Sequence, residues 1–130
     1  MKNLKAQAAQ SGRWFQLNSL SYTNLKKRIK INEGFSRTAY KDQLGYMTIG
    51  YGHLILPNEK HLLKTKKSKK DLDKIFKKDF NKALKDFNCH LKHLTKNKKD
   101  KELLIEMIFQ IGVVGVINFK KMLKYMTKGN

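Results

Sequence analysis

From Leu72 to Leu94 the apolar residues Leu72, Ile75, Phe76, Phe80, Ala83, Leu84, Phe87, Leu91 and Leu94 recur at threes and fours, with lysines filling many positions between. That period predicts a long helix with one buried face. Ser68, followed three residues later by Asp71, marks its start as a capping box with Asp in place of the usual Glu. Residues 101 to 111 are apolar on nearly all sides, which predicts a central helix wrapped by others. The wider stretch LLIEMIFQIGVVGVINF is interrupted by Glu106, Gln110, Gly112, Gly115 and Asn118 and falls short of the about 20 residues a bilayer span needs. It reads as a buried helix followed by a turn, and Gly115 to Lys124 supply one more helix.

Upstream, LKKRIKINE predicts a short helix capped by Thr23 or Ser21, burying Leu25, Ile29 and Ile31 and ended by Gly34 in a left-handed turn. The period changes between Arg37 and Leu56, where Tyr, Thr, Ile and Gly alternate. This predicts two or three short strands with a turn near Leu44-Gly45. The lysine-rich segment from Asn58 to Lys70, just after the lone Pro57, reads as a solvated, mobile loop. Residues 1–22, rich in Gln, Ser and Asn around Trp14 and Phe15, read as an N-terminal extension to a domain at 23–130. Helix, small sheet, long helix and buried helix in that order make an α+β fold with its strands at one end.

A chain of 130 residues with 40% hydrophobic positions suffices for one self-supporting domain. The lone Cys89 excludes an intramolecular disulfide framework and a Cys-rich zinc site, and suits a reducing cytoplasm. The N-terminus lacks the apolar core of a secretory signal. The formal charge of +19 is carried mainly by lysine, a flexible point charge. Such a balance favours diffuse attraction to polyanions over the reading of base edges, and no nucleic-acid reader motif is present.

Candidate chemistry lies in the few acids. Glu33 is the only acid before Asp42. It ends the first predicted helix, where the negative carbonyl end of the helix raises a carboxyl's pKa. A carboxylic acid that stays protonated near neutral pH can protonate the leaving oxygen of a glycosidic bond. A surface Glu tolerated at a helix end is the plainer reading. Asp42 follows nine residues later at the end of a strand-like segment, where helix end, turn and strand can set the two carboxyls on opposite lips of one cleft; the plainer role is a turn cap. Thr48 could hold a water by its hydroxyl or simply be a β-branched strand former. Asp79 falls inside the apolar stripe of the long helix, where an unpaired carboxylate is costly. It needs a partner, and His53 is the natural one. A metal reading of His53 lacks second and third ligands at metal spacing.

Taken together, Glu33-Gly34, Tyr40-Lys41-Asp42, Gly45-Tyr46 and Thr48-Ile49-Gly50-Tyr51-Gly52-His53 resemble the signature of the phage-type lysozymes, the glycoside hydrolase family 24 endolysins. The resemblance continues through SKKDLDKIFKKDF and LLIEMIFQIGVVGVINF, covering roughly Leu25 to Leu123. It implies a lysozyme-like α+β fold in which a small antiparallel sheet lobe is joined by a long helix to a mainly helical lobe. It implies a muramidase cleaving the β-1,4 bond between N-acetylmuramic acid and N-acetylglucosamine, with no cofactor or metal. Glu33 would be the general acid, and Asp42 and Thr48 would place and activate the attacking water of an inverting reaction. His53 and Asp79 would form a structural ion pair. Leu54, Phe109 and Gln110 would line the saccharide cleft, with Phe109 equally readable as a core aromatic.

Some positions depart from the family pattern. Met122 stands where a small polar contact residue is usual, and Glu106 where an asparagine is. The family's further C-terminal helices, and the arginine they direct at the catalytic Glu, have no counterpart here, since no arginine follows Arg37. Either a lysine holds Glu33, or the chain is a truncated, split or partly degenerate member whose 103–119 helix is partly uncovered. A monomer is expected, or a dimer if the chain ends naturally at Asn130. Peptidoglycan is the expected partner, with anionic wall polymers or membrane drawn by charge. The expected location is the host cytoplasm before release onto the wall. The competing reading is a non-catalytic, cationic wall- or membrane-binding antibacterial protein on the same scaffold.

Overall fold

The first helix, α1 (Thr23–Glu33), forms because Leu25 and Ile29 share one face and are buried there. Its N-terminus is held by packing: Tyr22 occupies the capping position without a side-chain cap bond, so Thr23 is the first helical residue and not the cap. Ile31 is 78% exposed, contrary to its expected burial. Two residues past Ile29 it points about 200° around the helix, away from the core. Gly34 ends the helix at φ 75°. The computed structural model describes residues 22–128, so the extension expected at residues 1–22, with Trp14, Phe15 and Ser21, lies outside the described residues apart from Tyr22.

Strands β1 (Ser36–Lys41), β2 (Met47–Gly50) and β3 (His53–Leu54) form an antiparallel sheet in sequence order. Register pairs Tyr40 with Thr48 and Lys41 with Met47 across the first hairpin, and Thr48 with Leu54 and Ile49 with His53 across the second. The turn at Leu44-Gly45 is organised by Asp42, whose Oδ1 accepts from the N–H groups of Leu44 and Tyr46, both at 2.9 Å. An Asp at this place closes a turn by bonding its own following backbone.

The segment after Pro57 is a folded 3-10 helix (Pro57–Leu63), not the solvated loop its lysines suggested. Proline needs no N–H partner at a helix start, Glu59 Oε1 accepts the Leu56 N–H at 3.0 Å, and Leu62 is buried. Arg37 and Lys67 exchange backbone and side-chain bonds that tie the following residues to β1.

Helix α2 (Lys69–His90) begins where Ser68 Oγ accepts the Asp71 N–H at 3.1 Å. Its stripe serves two cores. Leu72 packs with Ile49 and Leu62 beneath the sheet, whereas Phe76, Phe80, Ala83, Leu84 and Phe87 join Leu25, Ile29 and the third helix. One continuous helix therefore links a sheet lobe to a helical lobe, an α+β arrangement. A 3-10 turn (Lys92–Leu94) leads to α3 (Lys98–Ile117), capped by Asn97, which accepts from Lys99 and Asp100.

Leu104, Ile105, Ile108 and Val116 of α3 are buried, but Leu103, Ile111, Val114 and Ile117 are exposed, with Val114 at 71%. The described residues wrap one side of this helix, so within the 101–111 run read as wrapped by others Leu103 and Ile111 are exposed. Gly112, at φ 81°, breaks the helix internally. Helix α4 (Lys120–Thr127) then turns 96° away, seating Met126 in the helical core. No single described helix is long and apolar enough to cross a membrane.

Candidate active site

Glu33 sits at the last position of α1, half-buried, with its carboxyl against Gly52 in the β2–β3 turn. Gly52 has φ 73°, and a Cβ there would overlap Glu33 Oε1. Glycine is required twice over, for the left-handed backbone and for the approach of the acid. Desolvation raises the Glu33 pKa above its ordinary 4.5, and the nearby Glu106 carboxylate raises it further. Among the described residues no cation lies within salt-bridge distance of Glu33, so of the two alternatives a lysine holding Glu33 finds no support there.

Gly52 also lines a cleft of about 440 Å³ that runs between the lobes. Its other walls include His53 and Leu54 of β3, Asp79 and Lys82 of α2, and Phe109, Gln110 and Gly112 of α3. Three residues singled out in the sequence, Leu54, Phe109 and Gln110, thus meet in one cavity. Phe109 lines this cavity, and its ring also packs against Phe76 with centroids 5.4 Å apart, as a core aromatic does.

Asp42 and Thr48 lie on the sheet lobe, at the end of the first hairpin and on β2. Asp42 performs the turn-closing role with Oδ1, and Oδ2 has no protein donor among the described residues. Thr48 is buried in the sheet, and its hydroxyl donates to the Tyr46 carbonyl at 3.0 Å, leaving its lone pairs to accept.

His53 lies between two acids. Its Nδ1 is 2.7 Å from Asp79 Oδ2 and its Nε2 is 2.9 Å from Glu59 Oε1. With a carboxylate at each nitrogen both ring positions donate, and the imidazolium is favoured. The Asp79 hydrogen bond is the largest cause of a pKa pushed up to about 8, against the opposing pull of burial. At Glu59, burial acts to raise the pKa, but the Leu56 N–H, the His53 ring and Lys78 outweigh it and hold the carboxyl below its ordinary 4.5. The His53 cluster ties β3, the 3-10 helix and α2 together beneath the cleft. Glu59 is not singled out by the sequence, because the lysines around it predict a solvated loop. The signal was Pro57 at a helix start with Glu59 in the first turn, the chemistry of a helix N-terminus.

A sequence profile of the family described as Phage lysozyme matches residues 30–130, which takes in Glu33, the sheet, the cleft and both core helices. The chain belongs to the phage lysozyme family. Two proteins of Dictyostelium discoideum, named Probable T4-type lysozyme 1 and Probable T4-type lysozyme 2, are 34% and 31% identical to it over 125 residues. Each match covers 78% of this chain and 74% of the relative. Phage lysozymes are lysozyme-type peptidoglycan hydrolases, so membership fixes the general class of activity and makes peptidoglycan the substrate at family level.

The His53 cluster predicts a signed pH dependence. A histidine whose folded pKa is raised stabilises the fold fully below its unfolded value of about 6.5, and the contribution is lost as pH rises through about 8. Glu59, lowered, contributes above about 4.5 and loses its share as pH falls. The stability difference between wild type and His53→Gln should be greatest between about pH 4.5 and 6.5. It should shrink by about 1–2 kcal/mol by pH 9, allowing for partial solvent screening. Urea midpoints measured across that range check it; a difference that stays flat from pH 6 to 9 would contradict the pairing.

Proposed function

We propose that the chain is a muramidase cleaving the β-1,4 bond between N-acetylmuramic acid and N-acetylglucosamine, with Glu33 as general acid. The observation that carries this reading is the position of Glu33. Its carboxyl is desolvated against Gly52, which also forms part of the wall of the cleft containing Leu54, Phe109 and Gln110. A protonated carboxyl at the rim of such a cleft can donate its proton to the glycosidic oxygen as the bond to the anomeric carbon breaks. Asp42 takes the role of base: its free Oδ2 accepts a proton from a water that attacks the anomeric carbon from the opposite face. Thr48 assists through the hydroxyl lone pairs that its bond to Tyr46 leaves available. Leu54 and Phe109 offer apolar contact to sugar faces, and Gln110 offers an amide to their acetamido groups.

The bond assignment is tested by the identity of the new reducing ends. Digested, purified peptidoglycan reduced with borohydride should yield N-acetylmuramitol. N-acetylglucosaminitol would place the cut at the other glycosidic linkage and overturn the assignment.

The same reading locates action at the bacterial wall after release from the host cytoplasm, with the charge of +19 concentrating the protein on anionic wall polymers and membrane. A second reading draws support from the exposed apolar residues Ile111, Val114, Ile117 and Phe119 beside Lys120, Lys121 and Lys124. An apolar surface edged with lysine suits a non-catalytic, membrane-active cationic protein. Bacterial killing that persists in the Glu33→Gln, Asp42→Asn double variant would favour this second reading.

A further inference from the structure

We infer that Lys30 is a positioning residue for Glu33: its ammonium, held over the Tyr51 and Phe76 rings and against Asp73, clasps the end of α1 to the Tyr51-Gly52 turn and so fixes where the Glu33 carboxyl meets Gly52. The role rests on the reading of Glu33 as general acid.

The geometry begins at the end of a helix. Glu33 is the last residue of α1, and terminal turns fray unless something outside the helix holds them. Lys30, one turn earlier, supplies that hold from both its backbone and its side chain. Its carbonyl accepts the N–H of Gly34, just past Glu33, at 3.1 Å. Its Nζ lies 4.7 Å from the Tyr51 ring centroid, 4.9 Å from that of Phe76 and 3.6 Å from Asp73 Oδ1. Tyr51 precedes Gly52, the residue against which the Glu33 carboxyl lies. Lys30 and Glu33 on the helix therefore meet Tyr51 and Gly52 on the turn, pair against pair. The ring of Phe35, two residues after Glu33, also packs on Tyr51, with centroids 4.7 Å apart. Tyr51 thus anchors the chain on both sides of the acid.

These contacts set Lys30 apart from a solvated surface lysine. Its ammonium faces two rings and a carboxylate at once, with the side chain 33% exposed, and the attraction of a cation to a ring face strengthens as the cation loses water. Asp73 Oδ2 already accepts from Lys69 at 2.9 Å. Its Oδ1 is buried and accepts no hydrogen bond among the described residues, and the charge opposite it is Lys30. Losing Lys30 leaves that oxygen uncompensated and the Tyr51 ring without its cation. Phe76 is a core residue of α2, so the clasp also fastens the acid's helix end and the turn to the helix that joins the lobes. Lys30 pairs with Asp73 and not with Glu33. It acts by placing the carboxyl, not by holding its charge.

The test is a double-mutant cycle on kcat, with soluble peptidoglycan fragments as substrate, that combines Lys30→Met with Gly52→Ala. Methionine keeps an unbranched apolar stem and removes the charge. Lys30→Met should lower kcat about tenfold, part of the about 10²-fold that a misplacement of an ångström costs, and leave KM within about twofold. Lys30→Arg, whose guanidinium also stacks on rings and pairs with carboxylates, should restore the rate. Because both changes act on one contact, the double variant should fall no more than about threefold below Gly52→Ala alone, whereas Lys30→Met added to Gly45→Ala should cost the full factor of about ten. NOEs between the Gly52 α-protons and the Glu33 side chain should weaken in Lys30→Met and persist in Lys30→Arg. Tyr51→Leu, which removes the ring and keeps the charge, should repeat the loss of kcat and of NOEs, and serves if Lys30→Met folds poorly. Losses that simply multiply in the Gly52→Ala background, or NOEs unchanged from wild type in Lys30→Met and Tyr51→Leu, overturn the clasp. Wild-type rates from Glu33→Gln defeat the general-acid reading instead, and leave the NOEs to judge the clasp.

Discussion

Glu33→Gln is expected to lower peptidoglycan hydrolysis by about 10²–10⁴-fold, the usual contribution of a positioned general acid. Glutamine keeps the size and the hydrogen-bonding outline of the side chain but has no proton to give a leaving glycosidic oxygen. The fold should not suffer. Glu33 is half-buried, and among the described residues no cation lies within salt-bridge distance of it, so its ionised form is unfavourable where it stands. Removing that charge should leave the thermal midpoint unchanged or raise it, the usual trade of a functional group held in an adverse setting. Activity lost together with stability would signal a structural role; activity lost from a protein as stable as wild type signals chemistry. Turbidity clearing of wall suspensions and a melting curve on the same preparation separate the two.

Gly52→Ala should have the second largest effect. The residue has φ 73°, and any Cβ would enter the space of the Glu33 carboxyl, so backbone and acid must both move. The left-handed backbone alone costs an alanine about 1–2 kcal/mol. Displacing a catalytic group by about an ångström commonly costs around 10²-fold in rate. We therefore expect kcat to fall about 10²-fold, with a moderate drop in the urea midpoint. The control is Gly45→Ala, at φ 87° but with open space around its Cβ position: it should cost stability by the same backbone effect and leave the Glu33 geometry alone. Equal losses of kcat in the two variants would show that contact with Glu33 is not what matters at Gly52.

The contrast between these glycines shows where sequence suffices. Helix α2 was legible from its stripe and from Ser68, because local period and capping chemistry decide both the face and the start of a long amphipathic helix. The hairpin turn was legible at Leu44-Gly45 for similar reasons, and Asp42 bonds the backbone there as a turn-forming aspartate does. Burial on α3 was legible only in part. A run that is apolar all round says only that the helix can be enclosed, and Leu103 and Ile111, both exposed, show that the described residues enclose it on one side. Ile31 was misplaced because a short basic helix offers few apolar positions to set its phase.

The site divides in the same way. Glu33, Asp42, Thr48 and His53 could be nominated from the sequence because they fall within one short motif on neighbouring elements. The bond that Arg28 Nη2 donates to Glu106 Oε1 at 2.9 Å joins residues 78 positions apart and exists only once α3 has docked on α1, so nothing local announces it. Glu59 lay within reach, six residues after His53, but the lysines around it masked a helix start. Electrostatic partners that shape a site are set by tertiary packing, and a sequence pattern carries them only when they share its motif.

As the proposed proton donor of a wall-cleaving glycosidase, Glu33 is open to a direct assay. Release of reducing ends from purified peptidoglycan, measured side by side for wild type and for Glu33→Gln shown to melt at or above the wild-type temperature, tests it most directly. Wild type should release them steadily, and the variant at a rate about 10²–10⁴-fold lower. Equal rates from the two proteins would contradict it.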